Sequence, residues 1–125
     1  MLSNARQAVG RALEPVARAI DATGITPNGI TVLGLAGTLT AAGFVATGRF
    51  GVGAALFVPS AFLDLFDGLI ARRRGISSRW GALIDSVSDR LGEAAVLVAI
   101  AYRFRIENVR VALVALSALV SSFLV

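Results

Sequence analysis

DLFDGLIARRRGISSRWGALIDSVSD, residues 64–89, contains four of the chain's eight acidic residues, and long apolar runs flank it on both sides. Carboxylates and arginines this dense would suit a soluble loop, but the neighbouring runs are of a kind that buries itself in protein or lipid. Which solvent surrounds those runs decides the fold. The chain has 125 residues, 56% of them hydrophobic and 16% charged, with a mean hydropathy of +0.78. A soluble domain this short needs more polar surface, so the balance points to a single helical domain, residues 1–125, embedded in a membrane.

The composition narrows the chemistry. Cysteine and histidine are absent, which removes disulfides, thiolate nucleophiles, imidazole bases and Cys/His zinc sites. Any metal is therefore held by oxygen, as hard divalent cations are. The net charge of +4 comes from arginine alone. These arginines flank apolar segments, the pattern of a cytoplasmic membrane surface rather than a nucleic-acid face.

Working outward, Ile25 to Gly48 carries no charge and opens on Thr26-Pro27, a capping residue followed by a proline suited to a first helical turn. At ~1.5 Å per residue it crosses roughly 30 Å of hydrocarbon. Gly34, Gly37 and Ala41 give this first span a small-residue stripe for close helix contact. Arg49-Phe50-Gly51 reads as a turn, with a second span over about Val52 to Arg73 and a loop at Gly75 to Ser78. A third span runs from about Trp80 to Tyr102, and the charged turn RFRIENVR leads to Val111 to Val125. That last run is short against the roughly 20 residues a span needs, and reads as a truncated fourth. Upstream, Val9, Leu13, Val16 and Ile20 recur at helical spacing among Arg6, Arg11 and Arg18, predicting an interfacial amphipathic helix over residues 1–22. The expected fold is all-α: that helix, then a transmembrane bundle over 25–125. Arginine bias places the N-terminal segment and the Arg72 to Arg79 loop on the cytoplasmic side, opposite Arg49, Arg103, Arg105 and Arg110.

On this layout the aspartates fall on two helices. Asp64, Asp67, Gly68 and Ala71, at offsets 0, 3, 4 and 7, share one face; Gly81, Asp85 and Asp89, spaced by four, share a face of the next helix. Counted inward from Arg72 and Trp80, Asp67 and Asp85 are each five residues deep, and Asp64 and Asp89 eight and nine. Facing each other, they form two layers of carboxylates. Four uncompensated aspartates at a helix centre would cost roughly 10–14 kcal/mol. Two divalent cations balance the four charges, with Arg72 and Arg90 offsetting part. Two such ions about 4 Å apart are the arrangement that steadies attacking and leaving oxygens in displacement at phosphorus. Glycine at 68 and 81 leaves room for a ligand beside each pair. The plainer alternatives are a solvated helix end, or a salt-bridged cluster with Arg72, Arg73, Arg74 and Arg79.

These residues resemble the signature of the CDP-alcohol phosphotransferase (CDP-alcohol phosphatidyltransferase) family, D-x2-D-G-x2-A-R-x8-G-x3-D-x3-D. Asp64, Asp67, Gly68, Ala71, Arg72, Gly81, Asp85 and Asp89 match it at every fixed position and gap. TPNGITVLG also looks like the family's usual approach to its first helix. The resemblance covers roughly the first half of a member.

The resemblance implies an integral membrane enzyme, commonly of six transmembrane helices and often a homodimer. It implies transfer of a substituted phosphate from a CDP-linked donor to an alcohol, with release of CMP. Asp64, Asp67 and Asp85 would hold two Mg²⁺ or Mn²⁺ ions, which Asp89 would also touch. Asp89 would be the general base on the acceptor hydroxyl. Asp67, Gly68, Ala71, Arg72, Gly81 and Asp85 would surround the CDP portion. The arrangement SRWGALIDSVSDR behind an amphipathic helix is closest in look to bacterial phosphatidylinositol-phosphate synthases. CDP-diacylglycerol is then the expected donor and inositol phosphate the expected acceptor, at a site facing the cytoplasm from the inner membrane. Glycerol phosphate is the alternative acceptor, as in phosphatidylglycerophosphate synthases. From another class, the alternative is a divalent-cation channel or transporter lined by the acidic ring.

Overall fold

A computed structural model describes residues 11, 14–16, 18–20, 22–74 and 79–124, without the side chains of 64, 65, 67–69 and 71–74. Four helices follow in order: α1 (Pro27–Ala46), α2 (Phe50–Arg74), α3 (Arg79–Phe104) and α4 (Val109–Leu124). No strand occurs among the described residues. Of the expected interfacial helix over 1–22, residues 11, 14–16, 18–20 and 22 are helical, with Val16 exposed and Arg18 paired to Glu14 at 3.1 Å. Val9 and Leu13 lie outside the described residues, as does the expected loop at 75–78.

The start of α1 follows from its first two residues. Thr26 stays extended at φ −74°, ψ 151°, and its side chain accepts the Gly29 N–H, while Pro27 occupies the first turn, where no N–H is needed. The helix ends at Ala46, and the chain reverses at Gly48, whose φ of +81° is the left-handed conformation. There the Gly48 N–H donates to the Val45 carbonyl and the Arg49 N–H to the Phe44 carbonyl, both at 2.9 Å. This paired closure satisfies two carbonyls that α1 would otherwise leave bare. It also corrects the expected turn. The break spans 47–49, and Phe50 and Gly51 already belong to α2. The turn after α3 is likewise narrower than RFRIENVR, with Arg103, Phe104, Val109 and Arg110 all helical.

Packing centres on α1, which contacts both α2 and α3, while α4 rests on α3. Small residues carry these crossings. A Cβ at Gly37 would run into the Ser60 hydroxyl of α2, and one at Gly53 would stand 3.1 Å from the Ala41 carbonyl oxygen. Gly92 of α3 meets Thr38 and Leu35 in the same way. Ala101, Ala112 and Ala115 join α3 to α4. Among the described residues the only large side chains under 2% exposed are Ile30 and Ile70, whereas Val32, Leu33, Phe62, Leu113 and Val114 stand exposed. Small residues inside and large apolar ones outside is the arrangement favoured where the surrounding solvent is lipid. Among the described residues Pro27–Ala46, 20 residues long, is the helix long and apolar enough to cross a membrane; Phe50–Leu63 and Val109–Leu124 are shorter apolar stretches.

Candidate functional site

Asp85 and Asp89 occupy successive turns of α3, Asp85 half-buried and Asp89 exposed. Asp89 lies within electrostatic reach of Asp85, Arg90 and Glu93. It also lines a cavity of about 360 Å³ to which all four helices contribute. Leu35 and Thr38 come from α1, Phe57 and Ala61 from α2, Ser88, Asp89, Gly92 and Glu93 from α3, and Ala118 from α4. The cavity exists because the residues at the crossings are small. Gly92 lets Thr38 approach, and Ala61 and Ala118 leave space where larger side chains would fill it.

On α2, Asp64 and Asp67 are helical, as are Gly68, Ala71 and Arg72, and their side chains lie outside the described residues. Their register is fixed nonetheless. Phe57, Ala61, Asp64 and Gly68 advance by four, three and four, so Asp64 continues the helix stripe whose earlier members line the cavity. On α3 the matching stripe is Gly81, Asp85, Asp89 and Glu93, advancing by four each time. Gly81 is half-buried near the start of the helix. Both stripes belong to helices that pack on α1. No group of three or more acidic side chains converges as a metal-binding set among the described residues, and Asp64 and Asp67 lie outside that statement.

Three features of the site were not apparent in the sequence. Glu93 falls one turn beyond Asp89 on the same wall, and periodicity alone had assigned that half of α3 to the apolar span. The signal was present, since an acid amid apolar residues of a span calls for a partner. Thr38 and Ser88 are polar wall residues that a small side chain makes easy to pass over. Arg90, read as offsetting aspartate charge, does act on Asp89, while its hydrogen bonds and ion pair are made elsewhere. Its guanidinium donates to the Ser122 carbonyl at 2.6 Å and the Ser122 hydroxyl at 3.0 Å, and it pairs with Glu93 at 3.6 Å.

At the opposite end of the bundle, Gly48 lies beneath Arg103, which pairs with Glu107 at 2.7 Å. Phe50 and Phe104 stack at 5.8 Å, and the Arg105 guanidinium sits 3.8 Å from the Tyr102 ring centroid. A second cavity, of about 390 Å³, opens there between the end of α1 and the turn after α3. Its one acid, Glu107, is already paired with Arg103.

Comparison with known proteins gives the family. Residues 24–125 match the family model described as CDP-alcohol phosphatidyltransferase. The archaetidylinositol phosphate synthase of Pyrococcus horikoshii is 40% identical over 102 residues, covering 81% of this chain and 54% of that protein. The phosphatidylinositol phosphate synthase of Streptomyces avermitilis is 39% identical over 93 residues, covering 74% and 38%. The crystal structure of Mycobacterium tuberculosis phosphatidylinositol phosphate synthase with manganese and citrate superposes with a TM-score of 0.78 at 29% identity, over 86% of this chain and 53% of that one. The same enzyme with CDP-DAG bound gives 0.78 at 30% identity, over 90% and 58%. The chain thus spans about half the length of several of these relatives, and less of the Streptomyces protein.

Proposed function

The chain belongs to the CDP-alcohol phosphatidyltransferase family, and from that premise we propose that it transfers a phosphatidyl group from CDP-diacylglycerol to a hydroxyl of inositol phosphate, releasing CMP. The observation that carries this reading is the unbroken eight-residue signature, set in register on α2 and α3. Relatives named archaetidylinositol phosphate synthase and phosphatidylinositol phosphate synthase support the acceptor. They divide between archaetidyl and phosphatidyl enzymes, so the lipid part of the donor is to be tested along with the acceptor.

The donor set suits hard divalent cations, because the signature supplies carboxylate oxygen and the chain has no histidine or cysteine. Asp64, Asp67 and Asp85 would hold two Mg²⁺ or Mn²⁺ ions, with Asp89 at their edge; the manganese complex of the tuberculosis enzyme supports divalent-metal use. Bound cations would supply charge stabilisation at the diphosphate. The chain's own groups do the rest. Gly68, Ala71 and Gly81 leave space for the CDP portion, and Arg72 is suited to donate to diphosphate oxygens. Asp89 accepts the acceptor's hydroxyl proton as the oxygen attacks phosphorus, and CMP departs as the phosphorus–oxygen bond to it breaks. Apolar side chains facing outward fit a multi-pass protein of the cytoplasmic membrane. Lipid tails would stay in the bilayer while CDP reaches the cytoplasmic mouth, and a homodimer is the assembly this reading expects.

The test is CMP release by the protein in liposomes, using CDP-diacylglycerol and its ether-lipid counterpart against inositol phosphate, inositol and glycerol phosphate. Release with inositol phosphate, abolished by chelating divalent metal, is the expected result. Release with glycerol phosphate alone would move the assignment to the alternative acceptor. Absence of CMP release with every acceptor, together with Mg²⁺ flux across the vesicles, would sink the transferase reading.

A further inference from the structure

Arg90 follows Asp89 directly in the chain and stands within its electrostatic reach. A guanidinium beside a carboxylate cluster is drawn toward it, and a divalent cation seeking the same oxygens must displace it. Yet its described contacts point away from the aspartates. Arg90 donates to the carbonyl and hydroxyl of Ser122 on α4. The Ser122 hydroxyl in turn donates to Glu93 at 2.6 Å, and Glu93 closes the ring by pairing with Arg90 at 3.6 Å. Glu93 is the one negative charge in this ring. Without it, Arg90 would keep only neutral acceptors on Ser122, against the pull of Asp85 and Asp89 on its own helix.

We propose that Glu93 is a positioning residue: it holds Arg90 on α4, and so keeps a competing cation out of the carboxylate cluster that begins at Asp85 and Asp89. This role rests on the divalent-metal reading given above. Glu93 also lines the cavity beside Asp89, so the clasp ties that wall to α4 through Ser122. A purely structural stitch between α3 and α4 predicts something different. In that case, losing either partner loosens the bundle, and losing both does not restore it.

The test is Mn²⁺ affinity, measured by electron paramagnetic resonance on the full chain in detergent micelles, for wild type, Glu93→Gln, Arg90→Gln and the double variant. Glu93→Gln should weaken Mn²⁺ binding by roughly tenfold or more, in the range found for residues that support metal ligands. Arg90→Gln alone should bind at least as tightly as wild type. The double variant should return to wild-type affinity, which a misfolded Glu93→Gln protein would not do. Unchanged affinity in Glu93→Gln, or no recovery in the double variant, overturns the positioning role while leaving the metal reading intact. If wild type itself binds no Mn²⁺, the metal reading fails and this inference fails with it.

Discussion

The two ends of the bundle are built from opposite materials. At the α2–α3 end, acids sit on helix walls around a cavity lined by Thr38, Ser88 and Gly92, and the nearest arginine with described contacts is held away on α4. At the other end, two of the arginines are neutralised locally or laid against rings. Arg103 meets Glu107, Arg105 covers Tyr102, and Phe50 stacks on Phe104. At the second end Arg103 has its acid within the protein, whereas at the first Asp89 stands close to two further acids, Asp85 and Glu93. On the proposed function, that difference would separate an end that holds position from an end that does chemistry.

The largest expected effect comes from removing the acid at the cavity itself. Asp89→Asn keeps size and most hydrogen bonding but cannot take a proton. CMP release should fall by about 10²- to 10⁴-fold, the usual contribution of a positioned base. Mn²⁺ binding should persist, because Asp64, Asp67 and Asp85 remain. Near-normal turnover in this variant would remove Asp89 as the base, and the contrast between the two ends would lose its main support.

The comparison also marks what the sequence made legible. Helix limits came through to within a few residues, because uncharged runs, Thr26-Pro27 and the arginine turns each have a local physical cause. The α1–α2 turn was displaced because two nearby glycines compete for it. Only Gly48 takes the positive φ, while Gly51 is helical. The central place of α1 was not legible. A stripe of Gly34, Gly37 and Ala41 announces a close contact without naming the partner. In the site, regular spacing exposed the aspartates, but Leu35, Phe57 and Ala61 are of the same type as residues that face lipid. The Arg90–Glu93–Ser122 ring joins positions 29 and 32 residues apart, a distance no periodicity spans.

Next in size is the packing that brings the cavity walls together. A Cβ at Gly37 would collide with the Ser60 hydroxyl, which is otherwise bonded to the Leu56 carbonyl at 2.8 Å. Gly37→Ala should therefore cost about 1–3 kcal/mol through overpacking, read as a lower melting temperature in detergent. Ser60→Gly in the same chain should recover part of that loss. If Gly37→Ala melts like wild type, the α1–α2 crossing is looser than the contact requires.

Gly48→Ala tests the arginine end. A left-handed φ costs a residue with a Cβ about 1–2 kcal/mol, and here that Cβ would also stand 2.9 Å from the Arg103 Nε. Gly24, at φ +74° with nothing within 4 Å, provides the control. Gly24→Ala should show the backbone cost alone, and the excess at Gly48 should report displacement of Arg103 from Glu107. Equal melting shifts for the two variants would mean that Arg103 moves aside freely.

The smallest effect should come from Arg105→Gln. Its guanidinium lies on the Tyr102 ring and donates to the Tyr102 carbonyl at 2.5 Å, an exposed cation–π contact worth about 0.5–1 kcal/mol. Stability should drop slightly, and CMP release should not change, because no residue of this end contributes to the cavity that holds Asp89. The informative outcome is the ratio between this variant and Asp89→Asn. If removing Arg105 slows CMP release on anything like the scale of removing Asp89, the arginine end takes part in substrate handling. The division of the bundle into an anchoring end and a reacting end would then have to be abandoned.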